Sequence, residues 1–137
     1  MRSGFKLRLF AAAGAVLILC VLFARWYPGY MRRYRLETCE KARRVLEYTY
    51  THKVEAALSA NGGREDDIDY EKLLQESYME CFGKTPGEDG RISGICQGGG
   101  TWTTTIDPET HHIRTECSAD GHGTVQIFVN EPFQYAQ

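Results

Sequence analysis

The run Leu9–Ala24, LFAAAGAVLILCVLFA, holds sixteen residues without a charge, and it constrains the fold more than any other stretch. As a helix rising about 1.5 Å per residue it reaches roughly 24 Å, slightly short of a hydrocarbon core. The flanks make up the difference. Phe5 and Leu7 add apolar surface, and Lys6 and Arg8 can snorkel to the interface. Trp26 and Tyr27 supply an aromatic belt at the other end. The competing reading is a cleaved secretory signal, with Arg2, Lys6 and Arg8 as its basic region. The apolar run is long for that, and Arg25-Trp26-Tyr27-Pro28 is bulky and charged where a small-x-small cleavage site belongs. The expected organisation is a short basic segment over 1–8, a transmembrane helix over 9–27, and one soluble domain over 28–137. That remainder suffices for one small domain and no more.

A net charge of -2 names no acidic or basic partner, but the charge is unevenly spread. Arg25, Arg32, Arg33, Arg35, Lys41, Arg43 and Arg44 face only Glu37 and Glu40 in the stretch after the apolar run. Tyr27, Tyr30 and Tyr34 interleave with these cations, as a nucleic-acid surface requires, yet the same residues suit a membrane interface and need no further partner. The membrane is therefore the expected partner, and no nucleic acid is expected. Of five cysteines, Cys20 lies in the apolar run and Cys39, Cys81, Cys96 and Cys117 lie in the domain. An even number of cysteines in a small domain beyond a membrane segment reads as two disulfides and an oxidising compartment. Four cysteines allow three pairings. The preferred one is Cys96 with Cys117, across a hairpin base loosened by Gly98-Gly99-Gly100, and Cys39 with Cys81. Each bond would add roughly 2–4 kcal/mol. The disulfides place the domain outside the cell. The seven basic residues from Arg25 to Arg44 place it inside by the positive-inside rule, a weaker signal on a continuing helix than in a short loop.

From Tyr30 to about Ala60 the apolar positions Cys39, Ala42, Leu46, Tyr50, Val54 and Ala57 step by three or four, which lines one helix face. Glu40, Arg44, Glu47 and Glu55 occupy the opposite face, and Asn61-Gly62-Gly63 ends the helix. Pro28 breaks or kinks the join with the apolar run. Asp69 is an N-cap for a short helix with Leu73, Leu74, Ser77 and Tyr78 buried, stopped at Cys81-Phe82-Gly83. The last third is β. Thr101–Ile106, His111–Cys117 and Thr124–Val129 are strands, with turns at Asp107–Thr110 and Ser118–Gly123. The tail from Asn130 is polar and expected to fray. The fold class is α+β: a long N-terminal helix, membrane-embedded in its first half, packed on a small antiparallel sheet of about three strands.

No catalytic constellation stands out. Gly83-Lys84-Thr85 ends like a phosphate-binding loop, but Met79 stands where the earlier Gly is required. Structural zinc sites draw ligands in close pairs, whereas no two cysteines lie closer than fifteen positions. His111 and His112 are adjacent and point to opposite faces of a strand. Cys117 and His122 form the one half-site. No metal, no cofactor and no enzymatic activity are expected, and the cysteines read as staples.

Gly4-Phe5-Lys6-Leu7 resembles the start of type IV pilins and pseudopilins, Gly-Phe-Thr-Leu-x-Glu, with a short basic leader before it and an apolar helix after it. Pro28-Gly29-Tyr30 is similar to the Pro-x-Tyr where the pilin helix leaves the membrane. Cys96-Gln97-Gly98-Gly99-Gly100-Thr101-Trp102 and Cys117-Ser118-Ala119-Asp120-Gly121-His122-Gly123 resemble the segments that bracket a hairpin in pilin-like proteins of Gram-positive bacteria. The Glu of the start motif is Leu9 here, and Arg8 stands where an apolar residue is usual. The resemblance implies processing between Gly4 and Phe5, a pilin-like fold and an extracytoplasmic domain. It implies a bacterial minor pilin or pseudopilin that assembles with similar subunits or with a secretion or pilus machinery. The alternative is a membrane-anchored extracytoplasmic ligand-binding or sensor module that does not polymerise, marked by a pocket of Trp102, Tyr78 and histidines.

Overall fold

The computed structural model describes residues 2–128 and 131–135, with the side chains of residues 2–5 and 7 outside that description. Helix α1 spans Arg2–Ala60, and α2 spans Tyr70–Phe82 after a single 3-10 turn at Glu65–Asp67. Strands β1 (Arg91–Ile92), β2 (Trp102–Ile106), β3 (Ile113–Cys117) and β4 (Thr124–Val125) follow. The architecture is α+β, as the residue pattern implies.

Helix α1 runs unbroken through Pro28. Proline cannot donate to the carbonyl one turn back, but one missing bond in so long a helix does not end it. The carbonyls of Ala57 and Leu58 are capped by the N–H groups of Asn61 and Gly63. The expected processing pair Gly4 and Phe5 lies within α1, its side chains among those not described.

The chain divides into two compact units, Met1–Tyr34 and Arg35–Gln137. In the first unit Leu9, Phe10, Leu17, Ile18, Leu22 and Phe23 are exposed. This helix is long and apolar enough to cross a membrane. Phe23 stacks on Tyr27 at 5.0 Å and Trp26 on Tyr30 at 5.1 Å, an i,i+4 ladder at the end of the apolar run.

The second unit builds its core from one face of α1. Cys39, Leu46, Tyr50, Val54 and Leu58 are buried there, joined by Leu74 and Tyr78 of α2 and by Trp102 and Ile113 of the sheet. The α2 start is as expected. Asp69 accepts the N–H of Lys72 at 3.0 Å, and Gly83 closes the helix at φ 65. The sheet is an antiparallel meander in the order β1-β2-β3-β4, with Trp102 opposite Cys117 and Ile106 opposite Ile113. Alternation turns Trp102 and Thr104 of β2, and Ile113, Thr115 and Cys117 of β3, to the core. Buried hydroxyls tie these layers together, Tyr78 to Thr104 at 2.5 Å and Thr104 to Thr115 at 3.0 Å.

Four features differ from the sequence reading. The sheet gains β1, a two-residue edge too short to carry a pattern. Strand β4 stops at Val125, and Val129 lies outside the described residues. Glu47 is buried rather than on the outer face, because its Oε1 accepts the N–H groups of Ile127 and Phe128 at 2.5 and 3.0 Å. Glu55 likewise accepts the N–H of Gln134 at 2.8 Å. Of the tail expected to fray, the described residue Gln134 is thus held on α1.

Candidate metal centre

Three elements meet at one end of the second unit. Cys39 comes from α1, Cys96 from the loop before β2, and Cys117 from the end of β3. His122 belongs to the turn that follows, closed by its own N–H to the Ala119 carbonyl at 3.1 Å. One donor atom from each lies within 4.8 Å of every other. The Nδ1 of His122 is 3.4 Å from the Cys96 sulfur and 3.6 Å from that of Cys117.

This corrects the disulfide expectation. All five cysteines are free thiols. Cys81 meets Thr49 at 3.4 Å. Thr49 lies ten residues beyond Cys39 on α1, roughly 15 Å along the axis, so Cys39 and Cys81 cannot be bridged. Cys96 and Cys117 are neighbours, as the hairpin reading required, but they share their surroundings with Cys39 and the His122 ring rather than forming a bond.

Each sulfur has donors aimed at it. The indole Nε1–H of buried Trp102 points to Cys39 Sγ at 3.3 Å. The backbone N–H groups of Gly100 and Gly98 serve Cys96, and that of Ala119 serves Cys117. The loop closes this tightly only because of its glycines. A Cβ at Gly100 would stand 2.5 Å from Cys117 Sγ and 2.7 Å from the Ala119 nitrogen, and one at Gly98 would stand 3.0 Å from the His122 ring. The tripeptide therefore does serve close approach, though to a four-member cluster.

Arg43, one turn after Cys39, is fully buried. Its guanidinium donates to the carbonyls of His122 and Gly123 at 2.6 Å each, and more weakly to those of Thr115 and Cys39. Among the described residues no carboxylate pairs with it. Glu47, one turn further on, directs its Oε1 to Ile127 and Phe128. Arg43 thus fixes the turn that carries His122 and leaves a buried positive charge beside the thiols.

The thiols differ in acidity. Burial pushes Cys39 up to about 12, against the opposing pull of the Trp102 N–H. Burial also raises Cys117, against the Ala119 N–H. Cys96 is buried too, but the Gly100 N–H, the Cys39 thiol and the Gly98 N–H together bring it below the ordinary thiol value. Burial first, then Arg43, lowers His122, which keeps its ring neutral and able to donate a lone pair.

Comparison with protein-family models, with curated proteins and with solved structures finds no match to this chain. The chemistry of the cluster rests on its own geometry.

Sequence spacing exposed Cys117 and His122 as a half-site and missed Cys39 and Cys96, whose partners arrive from other elements. The other histidines stand apart from it. His111 stacks on Tyr70 at 4.0 Å, and His112 bonds the Glu131 carbonyl at 2.6 Å. Trp102 and Tyr78 are fully buried core residues. A groove of about 520 Å³ runs beside His52, Glu55, His112, Phe128 and Phe133 instead.

Proposed function

We propose that the chain is a non-enzymatic, membrane-anchored pilin-like subunit that works through protein–protein contacts, with its domain outside the cell. The observation that carries this reading is α1. One helix supplies an exposed apolar stretch long enough to cross a membrane, and then the face on which a four-stranded antiparallel meander is built. That is the arrangement the Gly4-Phe5 start and the two cysteine segments imply. Leu9–Ala24 anchors the chain and mediates assembly. Leu9 in place of the acidic residue of the start motif suits a minor position, such as a filament tip, where no neighbouring amine needs a carboxylate.

The intact mass of the protein extracted from its own membranes tests this. A chain beginning at Phe5, above all one methylated on its amine, supports a processed subunit. A chain beginning at Met1 contradicts it.

A second reading has its own support. Seven basic residues from Arg25 to Arg44 and four free thiols in the domain favour a non-polymerising module on the cytoplasmic side. Protease added to spheroplasts separates the two. Digestion of the domain without lysis supports the first, and protection until lysis supports the second.

A further inference from the structure

We propose that Cys39, Cys96, Cys117 and the Nδ1 of His122 together bind one structural zinc ion. The inference is independent of the pilin-like reading, and either can fail without the other.

The geometry is the first argument. Zn–S bonds of about 2.3 Å and Zn–N bonds of about 2.0–2.1 Å at tetrahedral angles give S···N separations near 3.5 Å and S···S separations near 3.8 Å. The two S···N separations here are 3.4 and 3.6 Å, and no pair of donors exceeds 4.8 Å. The donor type is the second. Three thiolates and one imidazole in a compact, closed set select zinc over hard, oxygen-seeking cations. A cluster with several irons would hold its ligands much further apart than this.

Charge is the third. Three thiolates around a dication carry one net negative charge, and burying it alone is costly. Arg43 supplies one buried positive charge beside the set, held by carbonyls rather than by a carboxylate. The ligand set and Arg43 sum to zero. The surrounding donors are the fourth. The Trp102 N–H on Cys39, the Gly98 and Gly100 N–H groups on Cys96 and the Ala119 N–H on Cys117 serve thiolates and do little for thiols. On binding, each cysteine releases its proton to solvent, the sulfur lone pairs form the metal bonds, and no group changes oxidation state.

All four positions are filled by protein, and Cys39, Cys96 and Cys117 are buried. The ion therefore staples α1 to the loop before β2 and to the end of β3, and leaves no open position for a substrate.

The test uses the full chain, extracted in detergent under reducing conditions, with total metal analysis and with Co²⁺ as a spectroscopic substitute. The expected result is about one zinc per chain and, in the Co²⁺ form, tetrahedral d–d bands with sulfur-to-metal charge transfer. Cys20→Ser and Cys81→Ser retain the metal. Cys39→Ser, Cys96→Ser and Cys117→Ser lose it. His122→Cys retains it with stronger charge transfer. Trp102→Phe lowers affinity about tenfold. If the serine variants fail to fold, the Co²⁺ spectrum of the unaltered chain and of His122→Cys decides. A metal-free chain, a Co²⁺ spectrum without sulfur charge transfer, retention in the serine variants, or a disulfide between Cys96 and Cys117 overturns the proposal.

Discussion

Single residues decide how closely the elements of the second unit approach. Gly100 is the sharpest case, because any Cβ there would occupy the space of Cys117 Sγ and the Ala119 nitrogen. Gly100→Ala is expected to cost about 1–3 kcal/mol by overpacking, read by denaturant unfolding. A neutral result would show that the loop can retreat. Asp69 acts at the opposite extreme of burial. As the N-cap of α2 it holds the Lys72 N–H, and Asp69→Ala is expected to cost about 1 kcal/mol. That cap was legible in the sequence, because the signal and the structure it makes lie within four residues. The cysteine cluster was not. Cys39 and Cys96 stand 57 positions apart, and Cys96 and Cys117 stand 21 apart, so no local spacing announces them. Parity of the cysteine count suggested pairs, where the fold brings three together with a histidine and leaves Cys81 on Thr49.

At the scale of elements, the helices and the central hairpin follow from periodicity, while the edges do not. Two-residue strands such as β1 and β4 are defined by the partner they find, not by their own pattern. Glu47 and Glu55 show the same limit. Each looks like a solvated charge on a helix, yet Glu47 receives two backbone N–H groups and Glu55 receives one from residues near the C-terminus. Hydrogen bonds to a charged acceptor contribute about 1.5–3 kcal/mol. Glu47→Gln is therefore expected to loosen that segment, seen as faster amide exchange at Ile127 and Phe128 with α2 unaffected. Unchanged exchange would contradict the strap. The turn between β2 and β3 carries a pH dependence. The N–H groups of Thr110 and then Glu109 hold the Asp107 carboxyl below the ordinary carboxylate range. A depressed folded-state value means the contribution is present above the ordinary unfolded value. It is lost as pH falls through the depressed one. Asp107→Asn should flatten the acid limb of the stability profile, and an unaltered limb would count against the turn.

At the scale of the whole molecule, two properties stand out. One helix carries an exposed apolar stretch and then the core face of a small α+β unit, and the residue pattern alone conveyed that much. The unit itself has a modest apolar core, with Leu46, Tyr50, Val54, Leu58, Tyr78 and Trp102 at its centre, and a domain of this size gains from a cross-link. The expected cross-links were disulfides. The arrangement found is a four-donor cluster that joins the same hairpin base to the helix, flanked by a buried arginine and N–H donors. The most direct test of that claim is zinc K-edge X-ray absorption on the full chain in detergent. The account predicts a first shell of three sulfurs at about 2.3 Å and one nitrogen at about 2.0–2.1 Å. A shell of oxygen and nitrogen only, or a protein that arrives without zinc, would contradict it.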